Sequence, residues 1–288
     1  MSAHLRFRLG IAYDGTGFRG WAHQPGLRTV QGVLEEALAT LFHRVGGTPM
    51  LTVAGRTDAG VHASGQVAHL DLSEAHLIEL ARARGSQGVS QEELLLRRMS
   101  SILARETDVV IRDVALAPTG FDARFSAVWR RYRYRVADAD ALKDPLERHR
   151  TVWHPRALDA DVMSIACSGL LGLGDFAAFC KPRPEATTIR TLQQFSWQRD
   201  ERGVLVASLQ ADAFCHSMVR SLIGASIAVG EGRLTSDALA ALLEKKERSN
   251  AFVVQAAKGL DLVEVGYPAS SELADRAELT RARRVRAD

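Results

Sequence analysis

Three cysteines in 288 residues, Cys167, Cys180 and Cys215, are too few and too irregularly spaced to announce a disulfide framework or a CxxC metal knuckle. Reduced, mostly buried thiols are the expectation. No run reaches the roughly 18 to 20 uninterrupted apolar residues of a membrane-spanning helix, and Met1 to Arg8 has no apolar core of the signal-peptide kind. A cytoplasmic protein with no membrane partner is expected. A Walker phosphate loop and a GxSxG nucleophile elbow are both missing, which removes the simplest NTPase and serine-hydrolase chemistries. Strong charge of one sign is missing too. With 37 Lys and Arg against 34 Asp and Glu, affinity for nucleic acid would depend on where the arginines lie rather than on their total.

What is present suffices for two modest domains, since 46% of the residues are hydrophobic. The most informative segment is Gly55-Arg56-Thr57-Asp58-Ala59-Gly60-Val61-His62-Ala63. An acidic side chain stands between two glycines, which can bend the chain sharply and leave room for a ligand beside it. A polar turn with a capping aspartate would read the same way. The densest basic segment, Arg124 to Arg135, interleaves cations with rings. On a strand, Arg130, Tyr132 and Tyr134 share one face and Arg131, Arg133 and Arg135 the other, so rings could stack on unpaired bases while guanidinium groups meet phosphates. An ordinary strand with a solvated face fits the same pattern.

Periodicity gives an order of elements that occurs twice. Strands at Leu5 to Tyr13, Met50 to Ala54, Gln66 to Leu72 and Val109 to Leu116 alternate with helices from Val30 to Phe42 and from Ser90 to Ile102. After Ala117-Pro118-Thr119-Gly120 the order returns. Strands are expected at Trp129 to Val136, Thr188 to Gln198, Val204 to Ala211 and Leu260 to Tyr267, with helices after Asp159, from Cys215 to Val229 and from Ser236 to Arg248. The expected fold class is α+β, with two ferredoxin-like (βαββαβ) halves forming one extended mixed antiparallel sheet with a central cleft. Residues 1–117 make the first half, 118–268 the second, and 269–288 a helical or flexible tail.

Three competing patterns fail on context. Gly15-Thr-Gly17-Phe-Arg-Gly20 matches a dinucleotide fingerprint, but Trp21 to Gly26 intervenes before any helical periodicity. His62, His69 and His76 recur every seven residues on different elements, so no metal site is expected. Cys215-His216 lies on the expected helix, where adjacent side chains diverge and cannot pair as nucleophile and base. On that helix Phe214 pairs with Met218, and His216 stands one turn below Arg220. An arginine reaching Asp58 would keep its carboxylate ionised as nucleophile or base.

Taken together, the Asp58 loop, Tyr13 to Trp21, Arg124-Phe-Ser-Ala127 with Arg130 to Tyr134, and Phe214-x-His216-x-Met218-Val-Arg220 resemble the TruA family of tRNA pseudouridine synthases from about Leu5 to Pro268. The resemblance implies that Asp58 is the catalytic aspartate, Tyr132 stacks on the target base, and Arg220 pairs with the aspartate. Arg56 and His62 would flank the site, and Arg56 would help turn the uridine out. It further implies isomerisation of uridine to pseudouridine at positions 38–40 of the tRNA anticodon arm by a homodimer needing no cofactor or metal. The family's Asn-x-x-Leu-Pro segment is replaced by Ser100 to Arg105, and Val254 to Leu260 lacks the usual proline, departures that bear on loop contacts and choice of uridine. A non-catalytic RNA-binding protein on paired ferredoxin-like domains is the alternative. Such a module has no use for a carboxylate beside the bases, so Asp58 discriminates between the two.

Overall fold

The computed structural model describes residues 4–82, 86–183 and 187–281, which fall into two compact units. The first runs to Ala127 and includes Tyr267–Arg281. Its elements are β1 (His4–Tyr13), α1 (Val30–Leu41), β2 (Thr52–Val53), β3 (His62–Ser73), α2 (Glu74–Ala81), α3 (Gln91–Ile102) and β4 (Val109–Leu116). Alternation in β1 sends Phe7, Leu9 and Ile11 into the core. The Thr29 hydroxyl accepts from the Gly32 N–H to start α1, which buries Leu34, Leu38 and Leu41 at helical spacing. Ser90 caps α3 through the Glu93 N–H. The antiparallel strand order is β4-β1-β3 with β2 paired to β3, the order of a ferredoxin-like sheet.

The second unit, Val128–Gly266, holds β5 (Trp129–Ala137), β6 (Val152–Trp153), α4 (Ala160–Ser168), β7 (Gly172–Asp175), β8 (Ile189–Arg199), β9 (Leu205–Ala211), α5 (Met218–Gly230), α6 (Ser236–Ala240) and β10 (Leu260–Gly266). Its antiparallel order is β10-β5-β9-β8-β7, which repeats the first unit's order and adds β7 at the edge. The two-residue β6 pairs parallel to β5. Asp159 caps α4, and Met163, Ala166 and Cys167 form its inner face. The α+β class and the doubled element order agree with the sequence reading.

The last described element, α7 (Leu273–Arg281), belongs to the first unit. There it buries Leu273 and Ala277, and the Ser126 hydroxyl donates to the Leu273 carbonyl at 3.0 Å. The part of the expected tail from residue 282 onward lies outside the described residues.

Several expectations need correction. The strand expected over Met50 to Ala54 shrinks to Thr52–Val53, while β3 begins four residues early, so His62 and Ala63 are strand residues. Helix α5 starts at Met218 rather than Cys215. Ser217 has φ 65°, a left-handed conformation that stops the helix from extending backwards, and the His216 carbonyl accepts from the Lys181 N–H. His216 and Arg220 therefore do not stand on successive turns of one helix. After Ala240 the chain continues only as a 3-10 turn, Ala241–Glu244. Cys180 and Cys215 are joined as a disulfide, with Cα atoms 5.8 Å apart across 35 positions of sequence. Spacing rules read local cysteine pairs, and this pair is made by tertiary contact. Cys167 alone is a free thiol, buried and pushed well above the ordinary thiol range by that burial.

Candidate active site

In the first unit, Gly55 to Val61 forms the loop between β2 and β3. The Val61 N–H closes a four-residue turn onto the Asp58 carbonyl at 3.2 Å. Gly60, third in that turn, has φ 78°, where glycine is favoured over any residue with a Cβ. Asp58 thus opens a tight turn, half-buried, with its neighbour Thr57 buried behind it and Arg56 exposed. A chain segment from the end of β1 lies against this loop. The Trp21 N–H donates to the Thr57 carbonyl at 3.1 Å and the Gly60 N–H to the Phe18 carbonyl at 3.3 Å. A Cβ on Gly15 would sit 2.1 Å from the Val61 carbonyl oxygen, so this approach needs glycine.

His62 is buried at the start of β3. Its Nδ1 accepts from the Gly15 N–H at 3.1 Å and also lies 3.1 Å from Asp14 Oδ1. The Gly15 to Gly20 stretch forms a short 3-10 turn and a loop, and α1 begins only at Val30. No helix N-terminus follows the glycines, so the dinucleotide fingerprint has none of its required context.

The second unit carries Tyr132 and Arg220. Tyr132 is buried on β5 with its ring edge-on to Phe214, centroids 5.1 Å apart. Two places on, Tyr134 is fully enclosed, its hydroxyl donating to the Ala256 carbonyl at 2.8 Å. Burial pushes the Tyr134 hydroxyl far above the ordinary phenol range, with the Arg220 charge opposing. Tyr134 is a core residue and offers no face for stacking. Arg220, in the first turn of α5, donates from Nε to the Gln255 carbonyl at 2.7 Å, and the Gln255 N–H returns a bond to the Arg220 carbonyl. The expected rail of charge is mostly paired within the unit, since Arg131 meets Glu264 and Arg135 meets Asp200.

A family model described as tRNA pseudouridine synthase matches residues 166–268. A Leifsonia xyli protein named tRNA pseudouridine synthase A is 58% identical over 281 residues, covering 97% of this chain and 98% of its own. The chain belongs to the tRNA pseudouridine synthase A family. Bearers of the same name from Streptomyces griseus and Mycobacterium leprae are 52% and 50% identical over 98% of this chain, and 94% and 96% of their own lengths are covered. These alignments take in both units, and with them the Asp58 loop, the Arg130 to Tyr134 strand and the Phe214 to Arg220 segment.

Pattern reading of this family member overlooked the side chains behind the Asp58 loop. Thr57, Tyr13 and Gln66 are buried polar residues on or beside it. Gln66 passes for an ordinary polar position in a strand, and its near-total burial is the signal that marks it.

Proposed function

We propose that this chain isomerises uridine to pseudouridine at positions 38–40 of the tRNA anticodon arm, with Asp58 as the carboxylate that acts on the nucleotide. The reaction breaks the N1–C1′ bond, turns the detached uracil and forms C5–C1′, so that N1 gains a proton and C5 loses one. Neither electrons nor phosphoryl groups are transferred, and one ionised carboxylate can serve by attacking the sugar, attacking the base or removing a proton. The observation that carries the reading is near-full-length similarity to proteins of this activity, joined to a turn that presents an acid. A target base leaves its stack at a cost of a few kcal/mol, which stacking on Tyr132 offsets. Arg56 is assigned to turn the nucleotide out, His62 to brace the loop beside Asp58, and Arg220, with Tyr132, to bind the substrate.

The test is release of tritium from tRNA carrying the label at C5 of uridine. Wild-type protein is expected to release it and Asp58→Asn to release none while still binding tRNA. Release by the variant at the wild-type rate would remove Asp58 from the mechanism. The same preparation, sized beforehand, is expected at twice the 31.4 kDa chain mass, and a monomer mass would exclude the homodimer.

A further inference from the structure

Three polar side chains are buried together behind Asp58, and none of them belongs to the chemistry assigned above. Tyr13 ends β1 and is 5% exposed, Thr57 is 7% exposed, and Gln66 on β3 is fully buried. The Gln66 Nε2 group donates to the Gly55 carbonyl at 2.9 Å and to the Tyr13 hydroxyl at 3.2 Å, while its Oε1 accepts from the Val67 N–H at 3.2 Å. These contacts fix which way the amide faces. The Tyr13 and Thr57 hydroxyls share a further bond of 2.8 Å. Gln66 therefore grips the loop at both ends of Gly55 to Thr57, directly at the first residue and through Tyr13 at the last. At Thr57 the side chain is held by Tyr13 and the carbonyl by the Trp21 N–H, so the peptide that carries Asp58 is anchored from two directions.

An apolar trio would fill the same space without the risk of an unsatisfied buried donor or acceptor. A buried polar network does what apolar packing cannot, because its bonds are satisfied in one loop conformation. The register of β1 on β3 shifts between Ile11 and Tyr13, which turns the last residue of the strand out of the regular ladder.

We propose that Tyr13, Thr57 and Gln66 are positioning residues that set the direction of the Asp58 carboxylate. The inference rests on the reading of Asp58 as the acting carboxylate. Positioning errors of about an ångström cost on the order of a hundredfold in rate. Removing one hydroxyl of this network should therefore lower kcat while leaving KM for tRNA near its wild-type value.

The experiment compares Tyr13→Phe, Thr57→Val, their double variant and Thr57→Ser, with Asp58→Asn alongside, in the tritium-release assay with full-length protein. Tyr13→Phe and Thr57→Val are each expected to lower kcat about tenfold to a hundredfold with KM changed less than about threefold. The double variant should fall no further than about twofold below the worse single, because both delete the same bond. Thr57→Ser, which keeps the hydroxyl, should recover most of the rate. Wild-type kcat in Tyr13→Phe and Thr57→Val, or a loss confined to KM, would overturn the proposal. If Thr57→Val does not fold, Tyr13→Phe decides, since it deletes a single oxygen. Activity in Asp58→Asn would instead overturn the reading of Asp58, so the two failures are distinguishable.

Discussion

Arg131, Arg133 and Arg135 leave β5 on one side, and their surroundings separate them. Arg131 is forked onto Gln210 and meets Glu264 at 2.7 Å, and Arg135 meets Asp200 at 2.9 Å, whereas Arg133 is exposed. A cation already neutralised by a carboxylate displaces fewer counterions when it meets phosphate. Arg133→Ala is therefore expected to reduce the slope of log affinity for tRNA against log salt by about one, and Arg131→Ala by less. Binding isotherms between roughly 50 and 200 mM salt measure it, and an unchanged slope for Arg133→Ala would take that side chain off the RNA. The alternation of rings and arginines was legible in the sequence because strand period is local. The pairing was not, since Glu264 lies 133 positions from Arg131.

At the scale of elements, the approach to α5 shows the same limit. Hydrophobic spacing carries the helix back to Cys215, yet Cys215, His216 and Ser217 are held by other parts of the chain or by a left-handed backbone. Asp212 strengthens the break, because its Oδ1 accepts from the Thr191 and Ala213 N–H groups at 3.1 and 2.6 Å. Strands β6 and β7 escaped notice for a related reason, being too short for alternation to register. The disulfide from Cys180 to Cys215 joins segments 35 residues apart, and such a link restricts the unfolded chain. Cys180→Ser in oxidised protein is expected to lower unfolding free energy by about 2–4 kcal/mol, read from urea melts. Equal midpoints for variant and wild type would mean that the covalent link contributes nothing to stability.

Across the whole molecule, two units of one strand order were legible because each βαββαβ run keeps its own periodicities. Acid should unsettle both units through the same sign of linkage. Burial holds His69 and His154 below the ordinary imidazole range, with Arg6 adding to the effect at His69 and Glu231 opposing it at His154. Asp71 is held below the ordinary carboxylate range by its bonds to Arg6. Burial alone would raise Asp138 and Asp200, but the bonds to Arg199 and Arg135, with backbone N–H groups, outweigh it and lower both. In all five the unfolded state binds protons first as pH falls. The histidine contribution is complete above pH 6.5 and is lost below it, and the aspartate contribution is complete above pH 3.8 and is lost below that. Thermal melts at pH 7.5, about 5 and about 3 should show two successive falls in Tm, and a Tm that rises on acidification would contradict both. The contact of Gly15 and Gly20 with the carbonyls of Val61 and Thr57 also bears on how such enzymes can be recombined. Grafting residues 55–63 from a relative onto this scaffold, without its 14–21, would seat one protein's loop against another's mould. The two stretches are packed as one structural unit, and libraries that vary one should carry the other with it.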